Sequence, residues 1–75
     1  MDRATLLEQL EQAKRRVADC EDFIVQQRSL IGELDIAHRG TKEAQKFMRT
    51  LEDLLAMHIA RRERLEQDLA IPNPG

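Results

Sequence analysis

The fold is decided by the stretch LDIAHRGTKEA, residues 34–44, which joins two long segments of helical periodicity. His38 and Arg39 bring positive charge to a place where a helix C-terminus favours it, and Gly40 suits the left-handed position that follows many helices. Thr41 is a good N-cap for a second helix, and Glu43 lies in that helix's first turn. The stretch therefore predicts that one helix ends near residue 39 and that the chain reverses at 40–41.

Outward from this turn, apolar residues recur at alternating steps of three and four, which puts each set on one helix face. The pattern predicts helix 1 over about 2–39, capped by Asp2 or Thr5, and helix 2 over about 42–70. Pro72 and Pro74 cannot continue a helix, so residues 71–75 are expected to form a disordered tail. The predicted fold is all-α, an antiparallel two-helix coiled-coil hairpin. Its two stripes are Leu6, Leu10, Ala13, Val17, Cys20, Ile24, Gln27, Ile31, Leu34 and His38, and Ala44, Met48, Leu51, Leu55, His58, Arg62, Leu65 and Leu69.

The pairing of the two stripes can also be predicted. Positions a and d of the heptad face each other in antiparallel coiled coils, so folding about residues 40–41 pairs Val17 with Leu65 and Ala13 with Leu69. This register also brings opposite charges together across the edges of the hairpin, namely Arg28 with Glu52, Lys14 with Glu66 and Arg16 with Asp68.

Composition limits the size and class of the protein. With 75 residues and 3% aromatic residues, the chain forms one domain at most, and a hairpin buries only the strip between its helices. The single cysteine, Cys20, excludes an internal disulfide. No segment is apolar enough to cross a membrane and the first residues lack the features of a signal peptide, so we expect a cytoplasmic protein.

One edge of the predicted hairpin is apolar outside the central stripes. Phe23 and Leu30 of helix 1 lie on the same flank as Phe47 and Leu54 of helix 2. Contiguous exposed apolar surface on a small protein usually marks an interface. We therefore expect that a second copy covers this edge and that the two copies form a homodimeric four-helix bundle. The alternative is that a helix of a different protein covers it. The first functional hypothesis is a small non-enzymatic protein-interaction or regulatory module.

A basic cluster carries the alternative hypothesis. The hairpin brings six residues near each other, namely Lys14, Arg15, Arg16, Arg61, Arg62 and Arg64. A phosphate backbone could lie along them, as in an RNA-binding helical hairpin. The net charge of −2 and the interleaved carboxylates favour a solvated helix face, so nucleic acid is not the expected partner.

No pattern in the sequence points to catalysis, a cofactor or a metal. The candidate metal ligands inside the stripes are Cys20 and His58, and neither stands at a metal-ligand spacing. Glycine-rich phosphate loops and nucleophile–histidine arrangements are absent as well. We therefore expect no enzyme, no cofactor and no metal site.

The second half of the chain resembles a known group of proteins. The string HIARRERL, residues 58–65, preceded by Gly40, Ala44 and Leu51, is similar to short helical-hairpin proteins of alphaproteobacteria such as rhizobia. Gln27, Ile31 and Leu34 extend the similarity, which covers about residues 17–69. The resemblance implies the hairpin fold and carries over no catalytic or binding residue. In shape alone, the hairpin also resembles the dimeric RNA-binding regulator Rop.

Overall fold

The computed structural model of the protein describes residues 2–71 and consists of two long helices. Helix α1 spans Arg3–Ile36, helix α2 spans Lys42–Ala70, and the two pack antiparallel as a hairpin. The predicted all-α hairpin is confirmed. Apart from Ile71, the predicted tail lies outside the described residues. Within 2–71, neither helix is both long and apolar enough to cross a membrane.

The end of α1 differs from the prediction, because the left-handed residue is His38 and not Gly40. Helix α1 ends at Ile36, and His38 has a φ of 57°, whereas Gly40 has no positive φ. The backbone N–H of His38 donates to the carbonyl of Asp35 at 3.1 Å, and that of Arg39 donates to the carbonyl of Leu34 at 2.9 Å. These two bonds form a Schellman motif, which satisfies the last carbonyls of the helix. The helix therefore ends three residues before the predicted residue 39.

The conformation of His38 yields a first prediction. A non-glycine residue in the left-handed region is strained by about 1–2 kcal/mol, whereas glycine adopts this region freely at an entropic cost of about 0.5–1 kcal/mol. We expect His38→Gly to raise the free energy of unfolding by about 0.5–1 kcal/mol, measured by urea denaturation at one fixed protein concentration. Arg39→Gly is the matched control, since Arg39 has no positive φ. Equal effects of the two substitutions would contradict this explanation.

The N-termini of the helices use their capping residues in different ways. Asp2 is the N-cap of α1, where its Oδ1 accepts from the backbone N–H of Thr5 at 2.7 Å. This bond lowers the pKa of the Asp2 carboxyl. Thr5, the other candidate cap, lies inside the helix. Thr41 occupies the N-cap position of α2 without a side-chain capping bond, and its Oγ1 accepts from the Gln45 side chain at 3.0 Å instead.

The predicted stripes form the contact between the helices. Every stripe residue except His38 is buried or half-buried, and His38 is exposed because it lies beyond the end of α1. The buried side chains form two clusters. The cluster near the open end contains Leu10, Ala13 and Leu65 with Leu6 and Leu69, and the one nearer the turn contains Ile24, Met48 and Leu51 with Ile31 and Leu55.

The predicted register between the stripes is wrong by about one heptad. Leu65 packs with Leu10 and Ala13, whereas the prediction placed it against Val17. Two cross-helix hydrogen bonds agree with the shifted pairing. The Gln27 side-chain amide donates to the carbonyl of Ala44 at 2.9 Å, and Arg3 donates to the carbonyl of Leu69 at 3.3 Å.

The early end of α1 accounts for part of the shift, because the connection occupies residues 37–41 rather than 40–41. An overhang accounts for the rest: Gln27 bonds to Ala44, so the last residues of α1 extend past the start of α2. The cross-edge ion pairs expected from the predicted register are consequently missing among residues 2–71. The ion pairs of this region lie within single helices, and they are Lys14–Glu11 at 3.7 Å, Lys46–Glu43 at 3.7 Å and Arg62–Glu66 at 3.3 Å.

Candidate protein-interaction surface

Four large apolar side chains follow one long edge of the hairpin, which we name the apolar edge. Phe23 and Leu30 are seven residues apart on α1, and Phe47 and Leu54 are seven apart on α2, so each pair lies on one helix face. All four stand just outside the buried stripes. Their exposed fractions are 55% for Phe23, 43% for Leu30, 54% for Phe47 and 39% for Leu54. The hairpin alone therefore leaves both of its phenylalanines in water.

The other long edge of the hairpin has a different composition. Most residues that flank the stripes on that side are exposed and charged, namely Lys14, Glu21 and Arg28 on α1 and Glu52 and Glu66 on α2. The same rows also contain Leu7, which is 46% exposed, and the half-buried Ile59. An edge of this kind is stable in water without a partner. The contrast between the two edges indicates that the apolar edge, which holds both phenylalanines, has the greater need of cover.

Met57 extends the apolar edge toward the open end of the hairpin. It lies three residues after Leu54, on the adjoining part of the same helix face, and 56% of its surface is exposed. Met57 is not among the predicted interface residues, because it lies outside the heptad row that contains Phe47 and Leu54. Its i+3 spacing from Leu54 is the signal that would have found it.

A groove of about 540 Å³ continues the apolar edge beyond Met57. Three arginines line it, Arg16 from α1 and Arg61 and Arg64 from α2. Arg16 is one heptad before Phe23 and Arg61 is one heptad after Leu54, so both stand in the rows of the apolar edge. We name Arg16, Arg61 and Arg64 the arginine groove. Its other lining residues are Gln12, Ala13, Met57, His58 and Ala60.

The structure assembles only half of the predicted basic cluster. Lys14 and Arg62 pair with carboxylates of their own helices, and Arg15 does not line the groove. Consecutive helical residues point about 100° apart, so Lys14, Arg15 and Arg16 cannot share one face. The cluster that the structure supports is therefore Arg16, Arg61 and Arg64.

The two candidate metal ligands predicted from the sequence, Cys20 and His58, lie in different surroundings. Cys20 is a free, buried thiol in the contact between the helices, and His58 is half-buried beside the arginine groove. In residues 2–71, no three side chains of His, Cys, Asp or Glu converge in a way that could hold a metal ion.

Comparison of the chain with protein-family models, with curated proteins and with solved structures gives no match. The resemblance to alphaproteobacterial hairpin proteins thus stays a prediction.

Proposed function

We propose that the protein is a non-enzymatic protein-interaction module that works as a homodimeric four-helix bundle. The observation that carries this proposal is the apolar edge, where heptad spacing aligns Phe23, Leu30, Phe47 and Leu54 in exposed positions. A second hairpin laid along this edge completes a four-helix bundle, in which helices cover each other's flanking apolar rows. Closed two-fold dimers are the commonest assemblies of identical chains.

The size of the hairpin makes self-association energetically important. The molecule extends 62 × 14 × 13 Å, so residues 2–71 are one helix pair thick and supply no third layer to cover the edge. Complete burial of a Leu or Phe side chain contributes about 1.5–3 kcal/mol. About half of each of the four side chains of the apolar edge is still exposed, so covering them contributes about 3–6 kcal/mol in all. This is comparable to the lower part of the stability range of a small domain, about 5–15 kcal/mol.

The alternative, an RNA-binding hairpin, has weaker support. Only Arg16, Arg61 and Arg64 share a surface, and the chain carries a net charge of −2. Binding through a few phosphate contacts would also leave the apolar edge without a role.

The solution mass of the intact chain tests the proposal. We expect light scattering after size exclusion to give twice the chain mass of 8.7 kDa, constant over low micromolar concentrations. The physical reason is that the apolar edge remains in water in a single hairpin. A mass of one chain at every concentration would overturn the homodimer and leave a helix of another protein as the occupant of the edge.

A further inference from the structure

The arginine groove brings like charges together from the two helices. Leu10 packs with Leu65 at the open end of the hairpin, and this register places Arg16 of α1 across the groove from Arg61 of α2. Arg64 lies three residues after Arg61, on the same face of α2. Like charges held close together repel each other, so the hairpin by itself has a local excess of positive charge at this place.

The carboxylates nearest to the groove do not neutralise it. Asp19 lies three residues after Arg16 and Asp68 lies four residues after Arg64, but neither aspartate lines the groove. The ion pairs of residues 2–71 involve none of the three groove arginines. A cleft lined by charges of one sign attracts a ligand of the opposite sign. The groove therefore has the electrostatic character of an anion site.

We propose that the arginine groove binds the phosphate group of a small phosphate monoester. Guanidinium groups donate hydrogen bonds in a planar fork that matches phosphate oxygens, and bonds between charged groups are stronger than neutral ones. One phosphate between Arg16 and Arg61 contacts both helices and relieves the repulsion between them. The proposal does not require the homodimer proposed above, because the three arginines and the groove belong to a single hairpin.

The other residues of the groove indicate what the phosphate is attached to. The groove has a volume of about 540 Å³, within the range of small-molecule sites, about 300–1,000 Å³. Ala13, Met57 and Ala60 give part of its lining an apolar surface, and Gln12 and the half-buried His58 add groups that form hydrogen bonds. A phosphate monoester with a small apolar substituent matches this combination of charge and apolar surface.

A nucleic acid matches the groove less well. A nucleic-acid backbone is bound through a series of phosphate contacts along its length, whereas the groove offers three arginines at one place. Lys14 and Arg62 of the predicted basic cluster pair with carboxylates instead. Neither Phe23 nor Phe47 lines the groove for base stacking, and the chain has no Tyr or Trp. The geometry thus favours a single phosphate group.

An NMR titration of the intact chain tests the site. Inorganic phosphate and phenyl phosphate are added separately at constant ionic strength, and the side-chain Nε–Hε signals of the arginines are followed. We expect saturable shifts of Arg16, Arg61 and Arg64, and about threefold or tighter binding of phenyl phosphate, because its ring covers the apolar lining. Binding is measured rather than melting, since phosphate stabilises folded proteins in general. Equal shifts of all arginines, or none, would overturn the proposal.

Two neighbouring substitutions separate the groove from general charge. Arg16→Gln removes one guanidinium group from the groove, and we expect it to raise the dissociation constant of phenyl phosphate about tenfold. Arg15→Gln is the matched control, because it makes the same change of charge at a residue that does not line the groove. Both side chains are exposed, so circular dichroism should show unchanged helices. Equal weakening by the two substitutions would contradict a site in the groove.

The solution mass, measured with and without phenyl phosphate, distinguishes failure of the dimer from failure of the site. A single-chain mass together with the expected shifts contradicts the homodimer alone, and a dimer without the shifts contradicts the phosphate site alone. Binding of an RNA stem-loop that Arg16→Gln weakens, without binding of phenyl phosphate, would assign the arginines to nucleic acid and overturn the proposal.

Discussion

Replacing Phe47 by glutamate is expected to convert the dimer into monomeric, still helical hairpins. Phe47 is 54% exposed in the single hairpin, so the contact between α1 and α2 depends little on it. In the dimer, covering the half of Phe47 that is still exposed contributes about 0.8–1.5 kcal/mol, and symmetry applies the loss twice. A total of about 1.5–3 kcal/mol raises the dissociation constant about 10- to 150-fold, and the buried carboxylate adds to this.

Light scattering and far-ultraviolet circular dichroism together measure this effect. The first reports the mass and the second reports whether the helices persist. Val25→Glu is a suitable control, since Val25 is exposed outside the heptad rows of the apolar edge. A dimer that survives Phe47→Glu at low micromolar concentration would show that the apolar edge is not the interface.

Leu51→Ala is expected to cause the largest loss of stability within the hairpin. Leu51 is 6% exposed and packs with Ile24 and Met48 between the helices. Truncation of such a side chain removes its burial and leaves a cavity, at a cost of about 2–5 kcal/mol. A chain of this size has a total stability of the same order, so we expect a partly unfolded protein at 25 °C.

Urea denaturation at fixed protein concentration checks this result, because dimerisation makes apparent stability depend on concentration. Leu7→Ala is the matched control. Leu7 is 46% exposed and belongs to neither buried cluster, so its truncation should cost less than about 1 kcal/mol. Equal losses in the two variants would mean that Leu51 is not part of the contact between the helices.

The faces of the helices could be predicted from the sequence, but their register could not. Residues at three- and four-residue spacing share a helix face independently of how the partner helix is placed, so the residues of the stripes could be predicted correctly. If one helix slides along the other by seven residues, stripe residues again lie opposite stripe residues, so the heptad pattern fits both registers equally well. The choice depends on where the turn begins. That point is set by the backbone of His38, whose left-handed conformation is uncommon outside glycine.

The apolar part of the candidate site could be predicted from the sequence, but its basic part could not. The apolar edge follows directly from the heptad, since Phe23, Leu30, Phe47 and Leu54 each precede a stripe residue by one position. The predicted basic cluster combined residues that are consecutive in the sequence, such as Lys14, Arg15 and Arg16. Consecutive residues point in different directions on a helix, so they do not share one surface.

The cross-helix hydrogen bonds described above also imply an order of assembly. The bond from Gln27 to Ala44 spans 17 residues of chain, whereas the bond from Arg3 to Leu69 spans 66. Closing a flexible loop loses about 0.6 kcal/mol more in entropy for each doubling of its length. Contacts at the open end thus form most readily after those nearer the turn have shortened the effective loop. We therefore expect the contacts between the helices to form first near His38 and last at the open end, and to be lost in the opposite order on unfolding. Substitutions near the turn should then alter the rate of folding, and those near Leu69 mainly the rate of unfolding.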